Sequence, residues 1–169
     1  MKATIVVFSM FMHFILFGQN NACSVIGALI QERNTNFQTL KSGLIQGDKL
    51  EQKYASTIVI IGALQTYFQE DFVSKQSKYF CVLTNANNYK EALGKYNEIV
   101  FQLKSCNELS NFNFSEKILS EEHFATWLPK GENPAGSKMK LEVRLLKEFE
   151  VDNNLNSRDI YIVKLEFGA

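Results

Sequence analysis

The sequence predicts one α+β domain, an antiparallel β-sheet with two helices packed on one of its faces. Three observations carry that prediction. Tyr89, Leu93, Tyr96, Val100 and Leu103 recur at helical spacing, and Ala92 and Ile99 widen them into one apolar stripe. Leu141, Val143, Leu145, Phe149 and Val151 alternate with polar neighbours, and Tyr161, Val163, Leu165 and Phe167 alternate after them, as the two arms of a hairpin do. The composition, 46% hydrophobic and 21% charged over 169 residues, belongs to an ordinary globular domain. It excludes a disordered tail, a collagen-like repeat and a polytopic membrane protein.

The first segment reads as an address rather than as part of that domain. Lys2 precedes a run from Ala3 to Gly18 with no Asp, Glu, Lys or Arg, and polar Gln19-Asn20-Asn21 follow it. A basic start, a short apolar stretch and no stop-transfer charge make residues 1–18 a signal peptide. The run is shorter than the ~20 residues that span a bilayer comfortably. Leu16-Phe17-Gly18-Gln19 resembles bacterial export signals cut before Gln. The cut falls after Gly18, or after Ala22. The expected location is secreted or periplasmic, with no stable membrane insertion after cleavage. The alternatives are an anchor through the N-terminal segment and a lipoprotein at Cys23. Against lipidation, Asn20-Asn21-Ala22 stands where an apolar-small pattern is expected before such a cysteine. Residues 23–169 form the domain.

Within it, Val25, Ile26, Leu29 and Ile30 predict a first helix from about Cys23 to Arg33. A weak strand follows over Gln38–Ile45, then a turn at Gln46-Gly47-Asp48-Lys49. Tyr54–Ile61 reads as a strong central strand, apolar on both faces toward its end, with Gly62 to stop or bend it. Gln65–Gln76 fits a helical turn or a strand, and Lys78–Thr84 is a strand. Asn88 begins the second helix, with Glu91 placed as in a capping box, and the helix ends near Cys106-Asn107. The final hairpin turns over Asp152-Asn153-Asn154 and Asn156-Ser157, with Leu146 out of phase at a bulge. Glu142, Arg144, Lys164 and Glu166 make its solvated face.

The predicted order is therefore α-β-β-β-α-β-β, with an insertion at 111–138. It resembles the Mog1/PsbP-like fold and the type III secretion chaperones in topology alone, so no functional residue is carried across.

Three cysteines in an exported protein imply one disulfide and one thiol left over. Cys81 sits in the apolar run Tyr79–Leu83 and reads as a small buried hydrophobe. Cys23 begins one predicted helix and Cys106 ends the other, so two antiparallel helices would bring them together. Cys23–Cys106 is the expected bond among three possible pairings. Three cysteines and one histidine after leader removal make no recognisable metal site, and no cofactor is expected.

The chemistry is sparse. Once the leader and its His13 are gone, His123 is the one imidazole, in a segment, Ser120–Trp127, that reads as a short capped helix. Its reading is a surface histidine; pairing with Cys81 as nucleophile would need an exposed, low-pKa thiol. Glu70-Asp71 and Glu121-Glu122 are candidate acids for a hydrolase whose fold brings carboxylates together, and solvated charge otherwise. There is no phosphate loop, so Gly43 and Gly47 belong to a turn. A net charge of zero, with only Lys75, Lys78 and Tyr79 clustered, gives no nucleic-acid partner. Asn113-Phe114-Ser115 is a glycosylation sequon, meaningful only in a eukaryotic secretory pathway.

The anomaly is the insertion. Phe112, Phe114, Phe124 and Trp127 crowd into it, and a loop at 129–136 follows with both prolines of the chain. Rings on such a segment anchor a partner or fold back over the open end of the sheet. The expected function is an exported, non-enzymatic protein that binds a protein or small ligand through Phe124, Trp127, Lys130 and Glu132. The alternatives are the hydrolase and a structural envelope protein.

Overall fold

The apolar stripe of residues 89–103 does form a helix, and its buried side is the roof over a broad sheet. The computed structural model describes residues 19–47, 50–131, 139–151 and 156–168. The expected leader at 1–18, Asp48-Lys49, Glu132 with the rest of 132–138, and most of the last hairpin's turn lie outside the described residues. Chain order is β1 (Gln19–Asn20), α1 (Ala22–Glu32), β2 (Lys41–Gly47), β3 (Glu51–Ser56), β4 (Val59–Ile60), β5 (Gln65–Asp71), β6 (Ser77–Ala86), α2 (Tyr89–Lys104), β7 (Phe112–Leu119), β8 (Glu122–Pro129), β9 (Lys140–Val151) and β10 (Ser157–Gly168). Short 3₁₀ turns, Arg33–Thr35 and Asn107–Leu109, follow the two helices.

Eight strands make one antiparallel sheet in the order β2-β3-β5-β6-β10-β9-β8-β7. One core joins the helices to the sheet. Val25, Ile26 and Leu29 of α1 and Ala92, Tyr96, Ile99 and Leu103 of α2 share it with Phe68, Tyr79, Cys81, Leu141, Val143, Leu145, Val163, Leu165 and Phe167. Both helices start on an asparagine cap. Asn21 accepts from Ser24 N–H at 2.9 Å and Asn88 from Lys90 N–H at 2.8 Å.

The mixed class, the antiparallel sheet and the two helices agree with the sequence; the order α-β-β-β-α-β-β does not. Gln65–Asp71 is a strand, because Phe68 packs under the helices while Gln65 and Asp71 stay exposed. The expected central strand at 54–61 is broken. Buried Ser56 Oγ donates to Ile58 O at 2.7 Å and accepts from Ile58 N–H, and these local bonds compete with the ladder. Past that break β4 leaves the large sheet and pairs in parallel with β1. Gly62, at φ +79°, then turns the chain.

The insertion at 111–138 is corrected most. Through Pro129 it is a β-hairpin that extends the sheet, and the short helix at 120–127 does not exist. His123, Ala125 and Trp127 are buried in alternation with Phe124 and Thr126, a period of two. Ser120, at φ +55°, occupies a two-residue turn with Glu121 rather than a helix cap. The bulge expected at Leu146 is also absent, since β9 and β10 pair without a shift and Leu146 faces Ile162. The irregularity lies on the other side of β10, at Val163/Lys164 against β6.

The Cys23–Cys106 disulfide is formed, with Cα atoms 5.4 Å apart. It ties the first turn of α1 to the residue beyond the C-cap of α2. Cys81 is free and buried. Among the described residues no helix is long and apolar enough to cross a membrane.

Candidate functional site

The residues that could do covalent chemistry are each held elsewhere. Cys81 on β6 and His123 on β8 are separated by β10 and β9, so three strand spacings, about 14 Å, lie between them. Burial pushes the Cys81 thiol up to about 12, the opposite of what a nucleophile needs. His123 is no surface residue. It is 8% exposed, beneath α2, with Nε2 2.9 Å from Tyr89 Oη and its ring 5.2 Å from that of Tyr96. Tyr96 in turn donates to Glu116 Oε1 at 2.9 Å, and burial together with that carboxylate holds its phenol above its ordinary range. Tyr89, His123, Tyr96 and Glu116 thus form a polar seam that fixes α2 on β7 and β8.

The acidic pairs diverge as strand neighbours must. Glu70 faces the helices and meets Lys41 Nζ at 2.6 Å and Ser77 Oγ at 3.2 Å. Burial opposes its charge, but these bonds and the Lys41 charge outweigh it and hold the carboxyl below its ordinary value. Asp71 accepts from Val73 and Ser74 N–H in the next turn. Glu121 bonds Lys147 Nζ at 3.0 Å and accepts from Tyr161 Oη at 3.3 Å. Cys23, Cys106 and Glu108 lie close enough for a metal, but both sulfurs are spent in the disulfide and supply no thiolate. The same bond leaves Cys23 no sulfur for the thioether of a lipoprotein.

What remains is the end of the sheet where the β7–β8 hairpin meets α2. Register alternation sets its faces. Phe112, Phe114, Glu116 and Ile118 of β7 lie on the helix side with His123, Ala125 and Trp127. Ser115, Lys117, Phe124 and Thr126 lie on the outer side with Glu142 and Arg144. Between the end of α2, the Asn107–Leu109 turn and the start of β7 is a hollow of about 300 Å³. Phe112, Phe114 and Trp127 form its aromatic wall; Lys104, Asn107 and Ser110 give it polar groups. The Phe114 and Trp127 rings are 5.0 Å apart, and Lys104 Nζ lies 4.0 Å over the Phe114 ring, a cation–π contact. Lys104 Nζ is also 3.9 Å from Glu116 Oε2. On the outer side, a second hollow of about 360 Å³ runs beside Ser115, Lys117, Phe124 and Glu142.

Compared with known protein families, curated proteins and solved structures, the chain matches none.

The residues expected at a contact surface therefore part company. Trp127 is 2% exposed and belongs to the core; it backs the hollow rather than standing free. Phe124 is half-buried on the opposite face of the sheet. Lys130 is exposed, and its Nζ donates to Ser110 O at 2.8 Å. Glu132 is outside the described residues. Asn113 of the sequon is exposed on β7. Lys104 was not singled out in the sequence, where it reads as a solvated charge at the end of the second helix. Its position i+4 from the buried Val100 gives no sign of the ring beneath it.

On the outer face, the predicted solvated charges are partly wrong. Glu142 is 6% exposed. Burial opposes its ionisation, yet hydrogen bonds from Lys140 and Arg144, with their charges, keep its carboxyl below the ordinary range. Glu166 links Arg144 to Lys78 beside it.

Proposed function

We propose that this is an exported, non-enzymatic binding protein whose contact surface is the β7–β8 hairpin and the hollow under it. The observation that carries the reading is the hollow itself. Three aromatic rings and one ammonium line it, and its volume of about 300 Å³ is at the small end of ligand sites. That combination suits an apolar or aromatic group bearing an anionic acceptor, such as a small organic acid or the end of a peptide. Rings supply area, and Lys104 supplies the polar anchor. The disulfide supports export, since such bonds persist in oxidising compartments. The His123 seam, the insulated Cys81 and the paired acids support a binding rather than a catalytic role.

Trp127 is the chain's one tryptophan, so its emission reports on this hollow. Titration with anilinonaphthalene sulfonate, an aromatic anion, should give saturable energy transfer from Trp127. Phe114→Ala and Lys104→Met should each weaken it about tenfold, a loss of about 1.4 kcal/mol. Transfer that never saturates, or that both variants leave unchanged, would refute the assignment.

A further inference from the structure

The two outer strands of the sheet are finished differently. β2 shifts register twice against β3, at Lys41/Leu44 and Leu44/Gln46. Such irregularities blunt an edge against pairing. β7 runs eight residues against β8 with no shift, no proline and no glycine. Its exposed apolar residues include Phe114, Leu119 and Ile118, the last 59% exposed.

The ladder tells which backbone groups β7 has to offer. Lys130 N–H donates to Asn111 O at 2.9 Å, and Phe112 stands opposite Pro129, which has no N–H. Hydrogen-bonded pairs alternate in an antiparallel ladder, so Asn113, Ser115 and Lys117 bond to β8. Phe114, Glu116 and Ile118 turn their N–H and C=O to the open side, where no described strand lies.

We propose that β7 pairs antiparallel with β7 of a second copy, about a two-fold axis through Ser115. A continuous sheet requires opposed residues to share a face, so the axis passes through a residue. Through Glu116 it would set that carboxylate against itself, and through Lys117 an ammonium against itself; like charges directly opposite are destabilising. Through Phe114 it would leave Ile118 and Leu119 beyond the pairing. Through Ser115 it sets Ser115 on Ser115, Phe114 on Glu116, Asn113 on Lys117 and Phe112 on Ile118. Glu116 of the second copy then comes beside Lys104, which lies over the Phe114 ring. The pairs Phe114–Glu116 and Phe112–Ile118, each occurring twice, exchange about eight backbone hydrogen bonds. The pairing goes beyond the proposed ligand reading and stands on the edge alone. It also gives each aromatic hollow a neighbouring Glu116 and Ile118 from the other copy.

The full chain tests it. Light scattering at micromolar concentration should give twice the monomer mass. Ser115 forms a non-hydrogen-bonded pair with its symmetry mate, Cα atoms about 4.5 Å apart, so Ser115→Cys should cross-link under mild oxidation. Lys117→Cys, four residues of strand from its mate or about 13 Å, should not. Ile118→Pro removes an N–H that β8 does not use, at a residue outside the Tyr96–Glu116 seam, and should give a monomer with unchanged Trp127 emission. A monomeric wild type, as expected if the edge serves a strand from a different protein, would overturn the proposal. So would cross-linking through Lys117→Cys as readily as through Ser115→Cys.

Discussion

Removing the Cys23–Cys106 bond, by the double change Cys23→Ser and Cys106→Ser, should cost most of a small domain's stability. The bonded residues are 83 apart in sequence. Closing a loop of that length removes about 15 cal/mol/K from the unfolded chain, or about 4.5 kcal/mol at 25 °C. The native state gives little of this back. Asn21 caps α1 through Ser24, and Cys106 N–H donates to Leu103 O, and neither contact needs the sulfur. Urea melts of oxidised wild type and variant measure the difference. The variant should also show a steeper denaturant slope, because its unfolded chain expands further. Its melting temperature should fall by about 10–18 °C. Thiol labelling after unfolding should count one reactive cysteine in wild type, Cys81, without reductant. A loss under about 1 kcal/mol with an unchanged slope would refute the loop-entropy argument. Three reactive thiols in wild type would refute the bond itself.

Four further outcomes follow from single side chains. Tyr79 Oη is buried with no nitrogen or oxygen partner among the described residues and has only the weak Cys81 thiol beside it, so Tyr79→Phe should stabilise the protein by about 1 kcal/mol in urea melts. Asn88→Ala removes the cap of α2 and should cost about 1 kcal/mol in the same assay. Glu142 has a carboxyl depressed below its ordinary 4.5, so its contribution is full above that pH and is lost as pH falls through the folded value. Glu142→Gln should therefore flatten the stability profile below pH 4.5, read by thermal melts across pH. Trp127 should emit in the blue and resist acrylamide in the free protein; a red, easily quenched emission would contradict its place in the core.

The helices were legible because each carries one dominant signal. A 3.6-residue stripe and an asparagine cap suffice for α2, and apolar spacing alone gave α1 to within a residue at each end. The disulfide followed from two helix ends, since antiparallel helices bring the start of one to the finish of the other. The strands were less legible where local bonds override pattern. Residues 54–61 are β-branched and apolar enough for a central strand, yet the Ser56 hydroxyl bonds to Ile58 and diverts the chain after six residues. Residues 120–127 carry an acidic start that mimics a helix cap. The competing signal went unread: His123, Ala125 and Trp127 on one side of Ser120-Glu121, and Phe112, Phe114 and Ile118 on the other, fall on alternate positions.

Sequence alone could not have placed the candidate site, because its parts come from segments whose adjacency is tertiary. Lys104 gains meaning only when α2 ends above β7, and Phe114 only when β7 becomes the last strand. The same ordering explains why the aromatic residues of 111–138 could not be sorted into core and surface from sequence. Trp127 was expected to reach outward, and it is instead the buried support on which Phe114 rests. That inversion matters energetically. A ring ordered in the core loses no further freedom when something docks against Phe114, so the hollow is preorganised, and preorganisation is what lets a small contact area bind. An exposed Trp127 would have had to surrender its mobility first. Phe114 and Lys104, not Trp127, are therefore the positions where substitution would separate the proposed binding from folding.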